Sequence, residues 1–205
     1  MKKVILFFLI AATSLMVTVS AYSSTRTDSV EIEEIPQAKS LWCWAACAEI
    51  AGRVFYPTST RTQHTIVMHL KSTPDETYPN VTGTIADSVT GSEYVTYNTV
   101  DFDYTFGLDS IWTFEEMATS LRNGYPIQAL IAPYSSDNER LVGHVVVIHR
   151  TDLLYDTSNS ESHYFIRYYD PWDGGSYEYC LYADFCDGTY NDRIYDGQIF
   201  ALEGG

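Results

Sequence analysis

The chain has 205 residues, with 27 acidic against 12 basic side chains and a formal charge of −15. A hydrophobic share of 45% suits a globular domain and excludes a wholly disordered acidic chain, and the length suits one domain. A nucleic-acid or anionic-membrane partner needs clustered Lys and Arg, whereas beyond the first three residues the lysines are Lys39 and Lys71 alone.

In chain order, Lys2 and Lys3 form a positive start, residues 4–12 are unbroken apolar, and Val19-Ser20-Ala21 supplies the small residues of a signal-peptidase site. This pattern predicts a signal peptide cleaved after Ala21 and a secreted product. The alternative, a retained anchor, requires roughly 20 apolar residues, and here the run is interrupted at Thr13 and Ser14. Cleavage removes two lysines and no acid, taking the net charge from −15 to −17. Residues 22–34 read as a flexible acidic lead-in, and the folded domain is expected over 35–205.

Residues 44–54 are rich in helix formers and predict a helix. The Thr, Ser, Asn and Gly content of 57–92 predicts a loop holding one short helix over 65–70. Alternation of aromatic and β-branched with polar residues over 94–106 predicts one or two strands. A second long helix is expected over 113–122, because Thr113 and Glu116 form a capping box and Asn123-Gly124 a stop. Residues 127–132 read as a buried strand, and 143–149, apolar on both faces, as a central one. Strands at 164–169, 177–182 and 198–202 follow. Helices early and strands late indicate an α+β domain, with an N-terminal helical part packed on a C-terminal antiparallel sheet.

There are four cysteines, at 43, 47, 180 and 186. Cys180 and Cys186 are the candidate pair for a disulfide closing a hairpin-like loop, in keeping with an exported chain. Cys43 and Cys47 share one face of the first helix, where a disulfide would be strained. The spacing needed for a zinc site is missing, so no metal is expected. Cys43 opens a helix, whose dipole favours a thiolate there. His144 opens the most apolar strand after a glycine, and Asp170 ends a later strand before Pro171-Trp172. Thiol, imidazole and carboxylate thus stand at element boundaries, in the arrangement that nucleophilic catalysis requires. Asp173 is the rival carboxylate. Cys47 reads as a small core residue and His64, His69, His149 and His163 as structural or exposed, while Trp42 fits either core or substrate site.

The segment QAKSLWCWAA, with Gln37 six positions before Cys43, resembles the active-site segment of papain-like cysteine peptidases. Gly143-His144 at the head of a Val/Ile strand is similar to that family's histidine segment, and Asp170-Pro171-Trp172 to its Asn-x-Trp. The Asn123-Gly124-Tyr125-Pro126-Ile127 turn ahead of these motifs resembles the bacterial branch, which includes the bacteriocin-leader-processing peptidases and effector peptidases with a Trp-Cys-Trp-Ala-Ala core. The resemblance spans roughly residues 35 to 175. It departs from the plant and lysosomal members in having too short a lead-in for a folded inhibitory prosegment. The 26 residues separating His144 from Asp170 imply a longer hairpin, and a carboxylate replaces asparagine in the triad.

The resemblance implies a Cys43–His144 thiolate–imidazolium pair attacking an acyl carbon, with the oxyanion held by the Gln37 side-chain amide and the Cys43 backbone N–H. His144 would protonate the leaving amine and then activate water against a thioester. Asp170 would fix the imidazole, shielded by Trp172. The implied function is a secreted cysteine endopeptidase acting on protein or peptide substrates as a monomer, without a cofactor. Same-fold amidase, deamidase or transglutaminase-like chemistry is the alternative, and a non-catalytic binding domain the second. Acidity would draw in basic substrates and makes an anionic cell wall a poor target.

Overall fold

The computed structural model describes residues 22–133, 143–190 and 192–202; the expected signal peptide lies outside them. Among the described residues the helices are α1 (Cys43–Phe55), α2 (Gln63–Lys71), α3 (Ile85–Val95), α4 (Phe114–Arg122) and α5 (Tyr182–Asp187). The strands are β1 (Tyr22–Ser29), β2 (Phe102–Phe106), β3 (Ile127–Ala132), β4 (His144–Asp156), β5 (Glu161–Asp170), β6 (Ser176–Leu181) and β7 (Ile194–Ala201). The strands form one antiparallel sheet in the order β2-β7-β3-β4-β5-β6, and β1 continues the edge of β4 where β3 leaves off.

Period-two alternation in β4 organises the core. Val145 and Val147 join a cluster with Trp44, Cys47, Ile50 and Ile66 of α1 and α2. Val146 and Ile148 point the other way, towards Met117 and Leu121 of α4 and Phe185 of α5. The apolar run of residues 143–149 is therefore a strand covered on both faces, and the fold is α+β with helices on each side of the sheet. Every residue of α1 from Trp44 to Gly52 is buried. A helix apolar on all sides belongs in an interior, and small side chains let its neighbours approach. A Cβ on Gly52 would lie 2.5 Å from Val95 of α3.

Three expectations need correction. Residues 22–34 are not a flexible lead-in, because Tyr22–Ser29 pair with Arg150–Asp156 of β4 and the Val30 N–H donates to the His149 carbonyl at 2.9 Å. The polar side chains that suggested solvation are paired across elements. Asp28 accepts from Arg122 at 2.9 Å, Arg26 reaches Glu115 at 2.9 Å through both terminal nitrogens, and Thr27 donates to Asp152 at 2.5 Å. Ile32 and Ile35 then pack on the core. Residues 85–95 form a third helix where loop and strand are expected, leaving only Phe102–Phe106 as strand. Cys180 and Cys186 are both free thiols. The chain between them does not turn back as a hairpin: β6 ends at Leu181 and α5 begins at once. Cys180 faces the core, while Cys186 packs at its margin with Tyr182, whose hydroxyl donates to the Trp112 carbonyl at 3.0 Å.

The remaining elements agree with the sequence reading. Thr113 caps α4 with Glu116 in a reciprocal box, and the helix stops at Asn123. The longer hairpin is β4–β5, whose pairing runs to Asp156–Glu161 around residues 157–160. Among the described residues no helix is long and apolar enough to cross a membrane.

Candidate active site

Cys43 is the first residue of α1, and Trp42, the residue before it, provides no side-chain cap; no acid stands in the first turn. The contrast with α3 and α4 is informative. Both of those carry reciprocal boxes, Thr84 with Asp87 and Thr113 with Glu116, that satisfy the free amides and neutralise the positive helix end. At α1 the end is left for another acceptor. Ala45 and Ala46 both donate to the Trp42 carbonyl, so the helix begins tightly at Cys43.

His144 opens β4 and is buried. Its Nε2 lies 2.7 Å from Oδ1 of Asp170, the last residue of β5, which leaves Nδ1 for the thiol of Cys43. The antiparallel register, with Val147 opposite Tyr169, brings the head of β4 to the end of β5. Asp170 Oδ1 also accepts the Trp172 backbone N–H at 2.8 Å, which fixes the carboxylate. The Trp172 ring stands edge-on to the imidazole at 6.3 Å and 90°, and remains half exposed. The rival Asp173 sits in the turn beyond, in a left-handed conformation at φ 48°, and the imidazole bonds Asp170 instead.

These contacts set the protonation states. Burial pushes the Cys43 thiol up, but the hydrogen bond and charge of His144, with the backbone N–H groups of Val145 and Trp44, outweigh it and bring the thiol below its ordinary value. Burial lowers His144, yet its hydrogen bonds to Asp170 and Cys43 raise it to about 9. Asp170, also opposed by burial, is held below the usual carboxylate range chiefly by His144. Both shifts run in the direction of a thiolate–imidazolium pair. Cys47, one turn deeper, behaves oppositely: it is fully buried, raised well above the ordinary thiol value by that burial, and donates to the Val145 carbonyl at 3.2 Å. One residue of β4, Val145, thus turns its N–H to the first thiol and its carbonyl to the second.

Gln37 is brought beside the triad by its backbone N–H, which donates to the Pro171 carbonyl at 2.9 Å. One of its side-chain N–H groups donates to the Lys39 carbonyl at 2.9 Å, and its Oε1 is buried without a partner among the described residues. An amide has two N–H groups, so the second is available to an added acceptor. Sequence reasoning missed what holds this loop. Gln63, at the start of α2, accepts from the Ala38 N–H at 2.7 Å and donates to the Pro36 carbonyl at 2.9 Å, gripping Gln37 from both sides. Gln63 is itself held by its backbone N–H, 2.6 Å from Oε2 of the buried Glu49 in α1. A glutamine opening a short amphipathic helix carries no sequence sign of that role.

Over Cys43 and His144 lies a cleft of about 860 Å³. It is lined by Ser40, Leu41, Trp44, Gly83 and Ile85, by Tyr104 and Phe106 of β2, and by Leu130, Ile199, Trp172 and Arg193. Trp42 is core rather than cleft: it is wholly buried, and its indole donates to Pro79 at 2.9 Å. Among the described residues no group of three or more His, Cys, Asp or Glu is arranged to hold a metal.

Comparison with known proteins gives one finding. The family model described as "Peptidase_C39 like family" matches residues 29–193, a span that contains β1's last residue, the Cys43–His144–Asp170 cluster and every residue lining the cleft except Ile199. No curated protein matches the chain.

Proposed function

We propose that this chain, which belongs to the Peptidase_C39 like family of papain-like cysteine peptidases of bacterial type, is a secreted endopeptidase working through Cys43, His144 and Asp170. The observation that carries the reading is an imidazole held by a fixed carboxylate at 2.7 Å in the same cleft as the thiol at an uncapped helix start. The Cys43 thiolate attacks the substrate carbonyl. The oxyanion that forms is bound by the Cys43 backbone N–H and the uncommitted N–H of Gln37. The imidazolium of His144 gives its proton to the leaving amine, leaving a thioester and a neutral imidazole. That imidazole then takes a proton from water, which attacks the thioester and regenerates thiolate and imidazolium. Asp170 keeps the ring oriented, and Trp172 covers one edge of it.

Secretion, with cleavage after Ala21, is supported by the Lys2-Lys3 start and the apolar run that follows. The chemistry needs no group beyond the protein's own, and a single chain supplies the cleft. The test is incubation of the chain from Tyr22 with an unfolded protein substrate, mapping new termini by mass spectrometry. Cleavage that disappears in Cys43→Ala is expected. Ammonia release or transfer to an added amine, without new termini, would replace peptidase by amidase or acyltransferase. Neither outcome, together with a Cys43 that titrates near the free value of about 8.5, would overturn the enzymatic reading.

A further inference from the structure

The chain carries 27 acidic side chains, yet among the described residues lining the cleft there is no carboxylate, and there is one guanidinium, that of Arg193. The other ionic groups at the site are committed: Asp170 to His144 and Trp172, and His144 to Asp170 and Cys43. Arg193 makes no hydrogen bond or close ion pair among the described residues, although most of the protein's other arginines do; its charge reaches Asp170 only at longer range, as the last of the influences that lower that carboxyl. A part-buried guanidinium facing an apolar cleft presents five donors in a planar fork suited to a carboxylate. The same cleft is lined by three half-exposed aromatic rings: Tyr104 and Phe106 at 46% exposure each and Trp172 at 51%. Large aromatic surfaces and one charged group in a single cleft make the usual composition of a recognition site.

We propose that Arg193 is a carboxylate-binding subsite of this cleft, selecting peptides that carry a carboxylate next to a large apolar side chain. The inference rests on the peptidase reading and adds the substrate class to it. It reverses the expectation from net charge that basic substrates are drawn in. At about 0.15 M salt the field of the acidic surface fades over roughly 8 Å, so inside the cleft the nearest uncommitted charge decides.

The test uses reagents rather than an unknown substrate. In the full chain, each cysteine's alkylation by iodoacetate and by iodoacetamide is measured by mass spectrometry at about pH 9.5, where an exposed thiol is ionised in any case. The ratio of the two rates at Cys43 is expected to fall about fivefold in Arg193→Gln, to be retained in Arg193→Lys, and to weaken with salt. The ratio at Cys186, away from the cleft, serves as the control for altered folding and should not move. An unchanged ratio at Cys43 in Arg193→Gln overturns the proposal.

A second arm asks where the carboxylate comes from. Acetylated peptides with glutamate and an amidated end, their glutamine congeners, and peptides with a free terminal carboxylate are compared for protection of Cys43 from iodoacetamide. An advantage of the glutamate peptide lost in Arg193→Gln assigns the subsite to side chains, and an advantage confined to free-acid peptides assigns it to chain ends. No Arg193-dependent advantage of either kind overturns it. Failure of the peptidase reading shows separately, as slow reaction of Cys43 with neutral iodoacetamide at about pH 6.

Discussion

At the scale of single residues, Asp170 and His144 divide the control of pH dependence. His144 is raised to about 9, so hydrolysis should fall on the alkaline side as the imidazolium loses its proton near that value. On the acid side it should fall as the lowered Cys43 thiolate is protonated. Removing the carboxylate in Asp170→Ala removes the strongest contact that raises the imidazole. The alkaline limb is expected to move down by about 1 unit or more, with a loss of kcat. In His144→Ala the acid limb of Cys43 alkylation should climb towards the free value of about 8.5. An alkaline limb that stayed at about 9 in Asp170→Ala would show that another group holds the imidazole. These residues were legible in the sequence because each stands in a short local motif at an element boundary. Glu49, Gln63 and Arg193 were not, because their partners lie far along the chain and only folding brings them near.

At the scale of elements, the Gln63 grip joins α1, α2 and the loop before the nucleophile. In Gln63→Ala the Ala38 N–H and Pro36 carbonyl lose their partner, so Gln37 is released while Cys43 and His144 keep their contacts. kcat should drop about tenfold or more, the scale of a weakened oxyanion donor, with Cys43 alkylation unchanged. Equal losses in both would make Gln63 a merely structural residue.

The α1–α3 crossing gives a second case. Alanine at position 52 gains about 1 kcal/mol of helix propensity. Its Cβ would nevertheless lie 2.5 Å from two Val95 atoms and 3.2 Å from the Ser92 carbonyl. Separating the helices costs about 1–3 kcal/mol, a net loss of up to about 2 kcal/mol, so Gly52→Ala should lower Tm by up to about 6 °C. A raised Tm in a thermal melt would mean that the crossing relaxes freely. The helix α3 itself went unread, though Thr84 and Asp87 offered its capping signal. Val89, Thr90 and Gly91 have weak intrinsic preference for helix, and burial of Ser88, Gly91, Ser92 and Val95 against the rest of the core supplies what propensity lacks.

At the scale of the molecule, β1 decides whether the N-terminal segment is a removable appendage or part of the sheet. Deleting residues 22–29 strips one edge of β4 and leaves the buried Asp152 without its Thr27 contact. The shortened chain is expected to lose its cooperative melt, followed by circular dichroism. A fully folded, active product would show that the segment is dispensable. The two-faced sheet was legible from the apolar run in β4, because a strand covered on both sides has no polar alternation to hide it. The β1 pairing was not, since its polar residues are satisfied by partners more than a hundred positions away.

That separation also fixes an order of events. Tyr22 pairs with Asp156 and Ser29 with Arg150, so β1 waits until about three quarters of the chain has been made before it has anything to bond. Contacts of such sequence separation close late and slow the folding of a domain. The export proposed above would gain from this delay, because a sheet that cannot close until β4 has emerged stays loose enough to be threaded through a membrane.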